Sequence, residues 1–305
     1  MIRISIIVIT SLCFSAYSQT DSSYIFILGN TQDAGVPHIG CEQEFCKNNY
    51  NSKESYFATS IAVVEPNLEQ YTLFEASPNI TAQLNYISNS LFERFILPTN
   101  IYITHAHIGH YTGLMYLGRE SLGAKGVNVR VLPKMSDFLK NNGPWEQLVK
   151  LNNIDLEEIY FDKTSSIFNN IEIIPLQVPH RDEYSETAGY IIKGRHKTAL
   201  FIPDIDKWER WDKDINDMVK KYDYLLLDAT FYEEKEINRD INKIPHPLVK
   251  ETLSLFKNMS LKDRSKIYFI HMNHTNMMLD PDSDISRLVL SKGFNIARIG
   301  QKLYL

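Results

Sequence analysis

The sequence has no excess of positive charge. Its 305 residues carry 32 lysines and arginines against 37 aspartates and glutamates, a formal net charge of −5. No basic field is therefore available to hold a polyanion, and nucleic acid is not an expected partner. There is also no internal repeat, no low-complexity tract and no Pro/Gly/Ser linker within residues 19–305, which favours one domain over an array of modules. Long apolar runs are missing as well. The longest candidate, residues 4–14, falls short of the ~20 residues that a membrane span needs.

That run has a different signature. Arg3 precedes it, and the small residues Ala16 and Ser18 follow, before polar Gln19 to Ser23. The pattern is that of a secretory signal peptide, residues 1–18, cleaved after Ser18. A lipoprotein signal using Cys13 fits less well, because Leu12 occupies the position where processing needs a small residue. A buried N-terminal strand is the competing structural reading. The expected product is an exported protein, periplasmic or secreted, with no stable membrane insertion after signal cleavage.

Cysteine is scarce: Cys41 and Cys46 alone remain once residues 1–18 are removed. In an oxidising compartment the pair can form a disulfide, and as thiolates they can hold a structural metal. Two sulfurs do not complete a tetrahedral site. His38, three residues before Cys41, offers a third ligand, and disulfide, zinc and free thiols all remain open.

What is present is a series of short apolar runs with the length of buried strands: 24–29, 60–65, 71–76, 100–104, 128–132, 171–178, 188–193, 198–204, 224–230 and 266–271. Helix-like stretches intervene at 81–90, from 135 onward, and at 145–151, 215–221, 247–256 and 282–292. Pro247 suits a first helical turn, and Asp282 or Ser283 suits a cap. Strands interleaved with helices indicate an α/β layered domain.

The polar, reactive residues sit where these runs end. The strand 100–104 stops at Thr104, and His105, His107 and His110 follow within six positions. Imidazoles so placed are ligands for zinc or iron, at about 2.0–2.1 Å for zinc. Asp33 and His38 lie on the loop after the first strand, within reach of such a site. Asp33, before Ala34-Gly35, equally suits a turn.

The segment THAHIGHYTGL, 104–114, resembles the H-x-H-x-D-H motif of the metallo-β-lactamase superfamily, carried here as His105, His107, Gly109 and His110. Later motifs of that family occur in order: His180 after IEIIPLQVP, Asp204 ending TALFIPD, and His271 ending KIYFIH. The resemblance implies an αββα sandwich, two facing mixed β-sheets flanked by helices. It also implies one metal on His105, His107 and His180, with Asp204 bridging to a second on His110 and His271. Gly109 stands where the family has an aspartate. The expectation is therefore one tightly bound zinc and a weakened second site, with iron as the alternative metal.

Four stretches, 28–46, 107–114, 181–190 and 271–276, look like the pyrroloquinoline-quinone (PQQ) synthesis protein B branch. In that branch and in the phosphonate-pathway phosphodiesterases a cysteine cluster after the first strand binds a structural zinc. Here Glu42 to Phe45 fill the gap where a third cysteine is expected. Asp228 and His246 resemble the acidic residue and histidine of the phosphodiesterase and tRNA-processing branches. A carboxylate that orients a histidine raises its basicity, which makes the pair a candidate proton donor to a leaving group. The structural alternative is a strand-end cap and a neighbour of Pro247.

Together these readings describe a metal-dependent hydrolase acting on an ester or phosphodiester bond of a small molecule. Metal binding lowers the pKa of water from about 15.7 toward about 7 and makes hydroxide available. Asp204, Asp228 and His246 are the catalytic candidates. Two alternatives stand beside this reading: an iron-dependent oxygenase related to the quinone-synthesis branch, and a non-catalytic metal-binding protein on a degenerate hydrolase scaffold.

Overall fold

Strand β2 (Ser60–Glu65) shows how the layers arise. All its residues are buried, and alternate side chains face opposite ways. Ile61 and Val63 point into a core shared with Ile173, Tyr190, Ile192, Phe201 and Leu226 from the other sheet. Ala62 and Val64 point to the opposite side, where Ile80, Leu84, Ile87, Met135 and Leu139 pack. A strand apolar on both faces requires cover on both, and it therefore lies in an inner layer.

The computed structural model describes residues 22–52, 56–168, 170–236 and 245–305. The expected signal, 1–18, lies outside the described residues. The first sheet has the order β14-β1-β2-β3-β4-β5-β6. Besides β2 it contains β1 (Tyr24–Gly29), β3 (Gln70–Phe74), β4 (Asn100–Tyr102), β5 (Val127–Val131), β6 (Ile154–Glu158) and β14 (Lys302–Tyr304). The second, β13-β12-β11-β10-β9-β8-β7, contains β7 (Ser165–Ile167), β8 (Ile171–Gln177), β9 (Ala188–Lys193), β10 (Thr198–Ile202), β11 (Tyr224–Asp228), β12 (Ile267–Ile270) and β13 (Asn295–Ile296). Both are mixed. Antiparallel pairing in β14 to β3 and in β7 to β10 gives way to parallel pairing in β3 to β6 and in β10 to β13.

Helices cover the outer faces. Ile80–Leu91 and Pro133–Asn141 pack on the first sheet, and Ile215–Lys221, Val249–Leu255 and Asp284–Ser291 pack on the second. The αββα sandwich expected from the family resemblance is the observed architecture. Ser283 caps its helix, its hydroxyl accepting from Ser286 N at 3.0 Å. The helix expected from Pro247 begins at Val249, with the Glu251 side chain accepting from Leu248 N at 2.9 Å. Among the described residues no helix is long and apolar enough to cross a membrane.

One edge of the sandwich collects the carboxyl ends of β4, β10, β11 and β12. The sheets are fastened together there: the Tyr190 hydroxyl donates to Ile103 O at 2.6 Å, and Ala188 N donates to Thr104 O at 3.0 Å. Thr31, just past β1, forms bridges to both Ala58 and Met272. In open α/β layers a ligand site forms where strand ends meet, because the chain leaves the ladder there and its side chains are free to converge.

Candidate metal centre

Each histidine of the opening motif leaves the sheet along a defined path. After β4 the chain passes through Thr104 and His105, bends at Ala106 and His107, and enters the short helix Ile108–Tyr111 carrying His110. The bend and the helical turn bring the three rings together, with His105 4.4 Å from His107 and 4.2 Å from His110 between ring centroids. His180 follows β8, Asp204 follows β10, and His271 follows β12. All six sequence-predicted ligands converge on this edge. His105, His110, Asp204 and His271 are almost fully buried.

Three ring nitrogens and one carboxylate oxygen define a first cluster. His107 Nδ1 is 2.8 Å from His105 Nε2 and 3.2 Å from His180 Nε2. Asp204 Oδ2 lies 3.4 Å from His105 Nε2 and 3.2 Å from His180 Nε2. Donors on a tetrahedron with arms of about 2.0–2.1 Å stand about 3.3–3.4 Å apart. Three of the separations lie close to that spacing and the 2.8 Å between His105 and His107 is shorter; a small outward shift of one ring brings the set to a tetrahedral transition-metal site.

The far nitrogens show the same design. His107 Nε2 contacts Glu183 Oε2 at 3.1 Å, His180 Nδ1 contacts Asp206 Oδ1 at 3.3 Å, and His110 Nδ1 faces Glu75 Oε1 at 3.4 Å. A carboxylate only accepts, so the outer nitrogens of His107 and His180 carry protons and their inner nitrogens are the ones turned to the cluster. For His271 the tautomer follows from Thr230. That hydroxyl gives its single proton to Asp228 Oδ1 at 2.7 Å, so it must accept from His271 Nδ1 at 3.0 Å. Nε2 of His271 is left as a ligand nitrogen. Glu75 and Thr230 had no signal in the sequence. Asp206 holds His180 and is itself held by Arg210 at 3.0 Å.

Burial, aided by neighbouring His110, keeps the His105 imidazole well below its usual range. Burial does the same to His271. Neutral rings are what a metal requires. At His180 burial opposes protonation, but the Asp204 and Asp206 carboxylates outweigh it and raise the group to about 9. Burial would raise Asp204, yet His180 and His246 hold its carboxyl well below the usual carboxylate range. Asp204 is therefore the anion around which the cluster is organised.

A second group, Asp33, His110 and His271, has its ligand atoms within 4.8 Å of one another. Asp33 Oδ1, His110 Nε2 and His271 Nε2 are buried and without a hydrogen-bond partner. Buried polar atoms are rarely left unpaired in a native fold. Three orphans facing one point have the chemistry of a metal-binding pocket.

The pair Asp228 and His246 forms as expected. Asp228 Oδ2 accepts from His246 Nδ1 at 2.8 Å and from Ile205 N at 3.1 Å, while Oδ1 accepts from Thr230 N at 2.8 Å and Thr230 Oγ1 at 2.7 Å. Its roughly four acceptor positions are thus used, which makes Asp228 an anchor for the ring and not a metal ligand. Burial disfavours the imidazolium of His246, but the Asp228 and Asp204 carboxylates outweigh it and hold the group protonated well above its usual range.

Two other histidines and the two cysteines lie elsewhere. His196 is in an exposed turn. His274 is outside the main cluster, its ring stacked on His38 at 4.1 Å. Cys41 and Cys46 are free thiols in contact, with no disulfide between them. Burial and the Cys41 hydrogen bond push the Cys46 thiol up to about 11.

Comparison with known proteins fits this geometry. A family model described as a beta-lactamase superfamily domain matches residues 71–272. Coenzyme PQQ synthesis protein B of Methylorubrum extorquens (strain PA1) is 22% identical over 300 residues, covering 92% of this chain and 99% of that protein. Zinc-bound PqqB from Methylobacterium extorquens superposes with a TM-score of 0.75 at 21% identity, covering 92% of this chain and all of that one. A diphosphatase from the PhnP family superposes at 0.64 with 20% identity, covering 93% of this chain and 97% of that one. At these identities the structural matches establish the fold alone.

Proposed function

The chain belongs to the metallo-β-lactamase superfamily, and on that premise we propose that it is a metal-dependent hydrolase of a small ester or phosphodiester. The observation that carries this reading is the buried His246, hydrogen-bonded to Asp228 at 2.8 Å and 3.2 Å from Asp204 Oδ1. A binding protein has no need of a protonated imidazole beside its ligand carboxylate. A hydrolase does, because its leaving group must take up a proton.

His105, His107, His180 and Asp204 would hold the metal, which supplies an activated water and polarises the scissile group. The chain's own residues do the rest. Asp204 Oδ2 faces the imidazoles while Oδ1 faces His246, so one carboxylate sets the distance between the ion and the proton donor. Nδ1 of His246 is engaged by Asp228, which leaves Nε2 to deliver a proton to the departing oxygen. Glu183 and Asp206 keep His107 and His180 from rotating. Fold does not fix substrate, and the preference for an ester or phosphodiester rests on the Asp228–His246 pair.

Three imidazoles and a carboxylate also suit ferrous iron, and the likeness to PQQ synthesis protein B favours keeping the oxygenase as the second reading. The test is turnover of bis(4-nitrophenyl) phosphate and 4-nitrophenyl acetate by zinc- and iron-loaded protein, with and without oxygen. Oxygen-independent hydrolysis that falls in His246→Ala supports the proposal. Turnover only with iron and oxygen would replace it with the oxygenase.

A further inference from the structure

Gly109 interrupts the metal-binding motif, and Asp33 occupies the space beside it. A Cβ placed on Gly109 would overlap Oδ1 of Asp33 and stand 2.5 Å from the Asp33 Cα. The two positions therefore exclude one another: a side chain at 109 and the backbone at 33 cannot both be where they are. Asp33 Oδ1 is 3.6 Å from His110 Nε2, too far for a hydrogen bond, and it has no other partner.

The loop carrying Asp33 is fixed from both sheets. Thr31 N donates to Phe57 O at 3.1 Å, Thr59 N donates to Thr31 O at 2.8 Å, and Gln32 N donates to Met272 O at 2.8 Å, next to His271. Asn273 Nδ2 donates to Gln32 Oε1 at 2.5 Å. The backbone on the N-terminal side of Asp33 is thus fixed beside the second group, and the Asp33 carboxylate lies within 4.8 Å of the ligand atoms of both its histidines.

We infer that Asp33 supplies the carboxylate that residue 109 lacks, so that Asp33, His110 and His271, with Asp204 between the two clusters, form a complete second site for a divalent transition metal. His110 Nε2 is 3.8 Å from Asp204 Oδ2, which places the bridging carboxylate within reach of both groups. The inference rests on the reading of the first cluster as a metal centre, and it revises the expectation of a weakened second metal. An oxygen donor and two imidazole nitrogens with a shared carboxylate suit zinc, and equally ferrous iron.

The test is metal counting, with no substrate involved. Protein loaded with zinc and freed of excess is analysed for zinc per chain, beside Asp33→Ala, Asp33→Asn and His271→Ala, with circular dichroism and melting temperature measured on each. Wild type is expected to hold about two ions, and all three variants about one, with second-site affinity falling by more than the 10–100-fold that loss of a mere supporting partner costs. Asp33→Asn keeps the size and turn geometry of the loop, so it decides the matter if Asp33→Ala does not fold. Two ions retained in folded Asp33→Asn and Asp33→Ala would overturn the assignment, as would a single ion in wild type. No ion in any folded variant would overturn the metal centre itself, whereas two ions without hydrolysis would leave this inference standing and remove only the hydrolase reading.

Discussion

The two clusters of the candidate centre meet at Asp204 and are assembled differently. In the first, ligands leave β4, β8 and β10 directly and their atoms stand 2.8–3.4 Å apart. In the second, His271 comes from a strand end and His110 from a short helix, but the carboxylate comes from a loop, and the separations to His110 widen to 3.6 and 3.8 Å. The difference teaches that a rigid strand end fixes a ligand by local geometry, whereas a ligand lost from a motif can be replaced only from whatever segment the tertiary fold brings to the same space.

Removing a ligand from the tighter cluster should have the largest effect. His105→Ala is expected to abolish hydrolysis and to release metal from the first cluster, checked by turnover and zinc content. If metal at that cluster survived, the two clusters would not be distinct. Next comes the proposed proton donor beside Asp204: His246→Ala should cost about 10²–10⁴-fold in kcat with metal content unchanged.

The pH profile sharpens that assignment. His246 is held above its usual range, so its acid form is present through neutral pH and is lost as pH rises through the folded value. The rate should therefore fall on the alkaline side. Asp228→Asn should move that fall to lower pH by removing the charge that sustains the imidazolium.

Smaller effects should come from the groups behind the ligands. Asp206→Asn, which loosens His180 in the first cluster, and Thr230→Val, which frees His271 in the second, should each cost about 10–100-fold in affinity for one ion and not the other. Glu183→Gln should have the least effect, because its side chain is nearly half exposed and water can replace it at His107. Equal losses at both ions in either Asp206→Asn or Thr230→Val would mean that the clusters act as one.

Much of this was readable in the chain. Strands 24–29, 60–65 and 188–193 coincide with the observed ones, because each is an apolar run bounded by polar residues. β6 and β7 gave no such signal. Ile154 is the one buried residue of β6, and Ile167 that of β7; edge strands need few apolar residues to hold their place. The short helices Glu44–Asn49, Ile108–Tyr111 and Leu261–Arg264 were likewise missed, being too brief for a periodic face. β4 ends at Tyr102 and not at Thr104, since the backbone there turns to the other sheet through Thr104 O and Ala188 N.

The site divides in the same way. The six candidate ligands and the Asp228–His246 pair were legible, because each matches a family motif. Glu75 and Thr230 were not, since each meets its histidine only through tertiary packing. Asp33 lies between these cases. The missing carboxylate at Gly109 was visible, and so was an acid on a nearby loop, but nothing in the order of residues joined them.

The most direct test of the central claim is an anomalous-diffraction map at the zinc edge from crystals of the zinc-loaded protein. The account predicts a peak among His105 Nε2, His107 Nδ1, His180 Nε2 and Asp204 Oδ2. Ordered side chains there with no peak, in crystals containing zinc elsewhere on the chain, would contradict it.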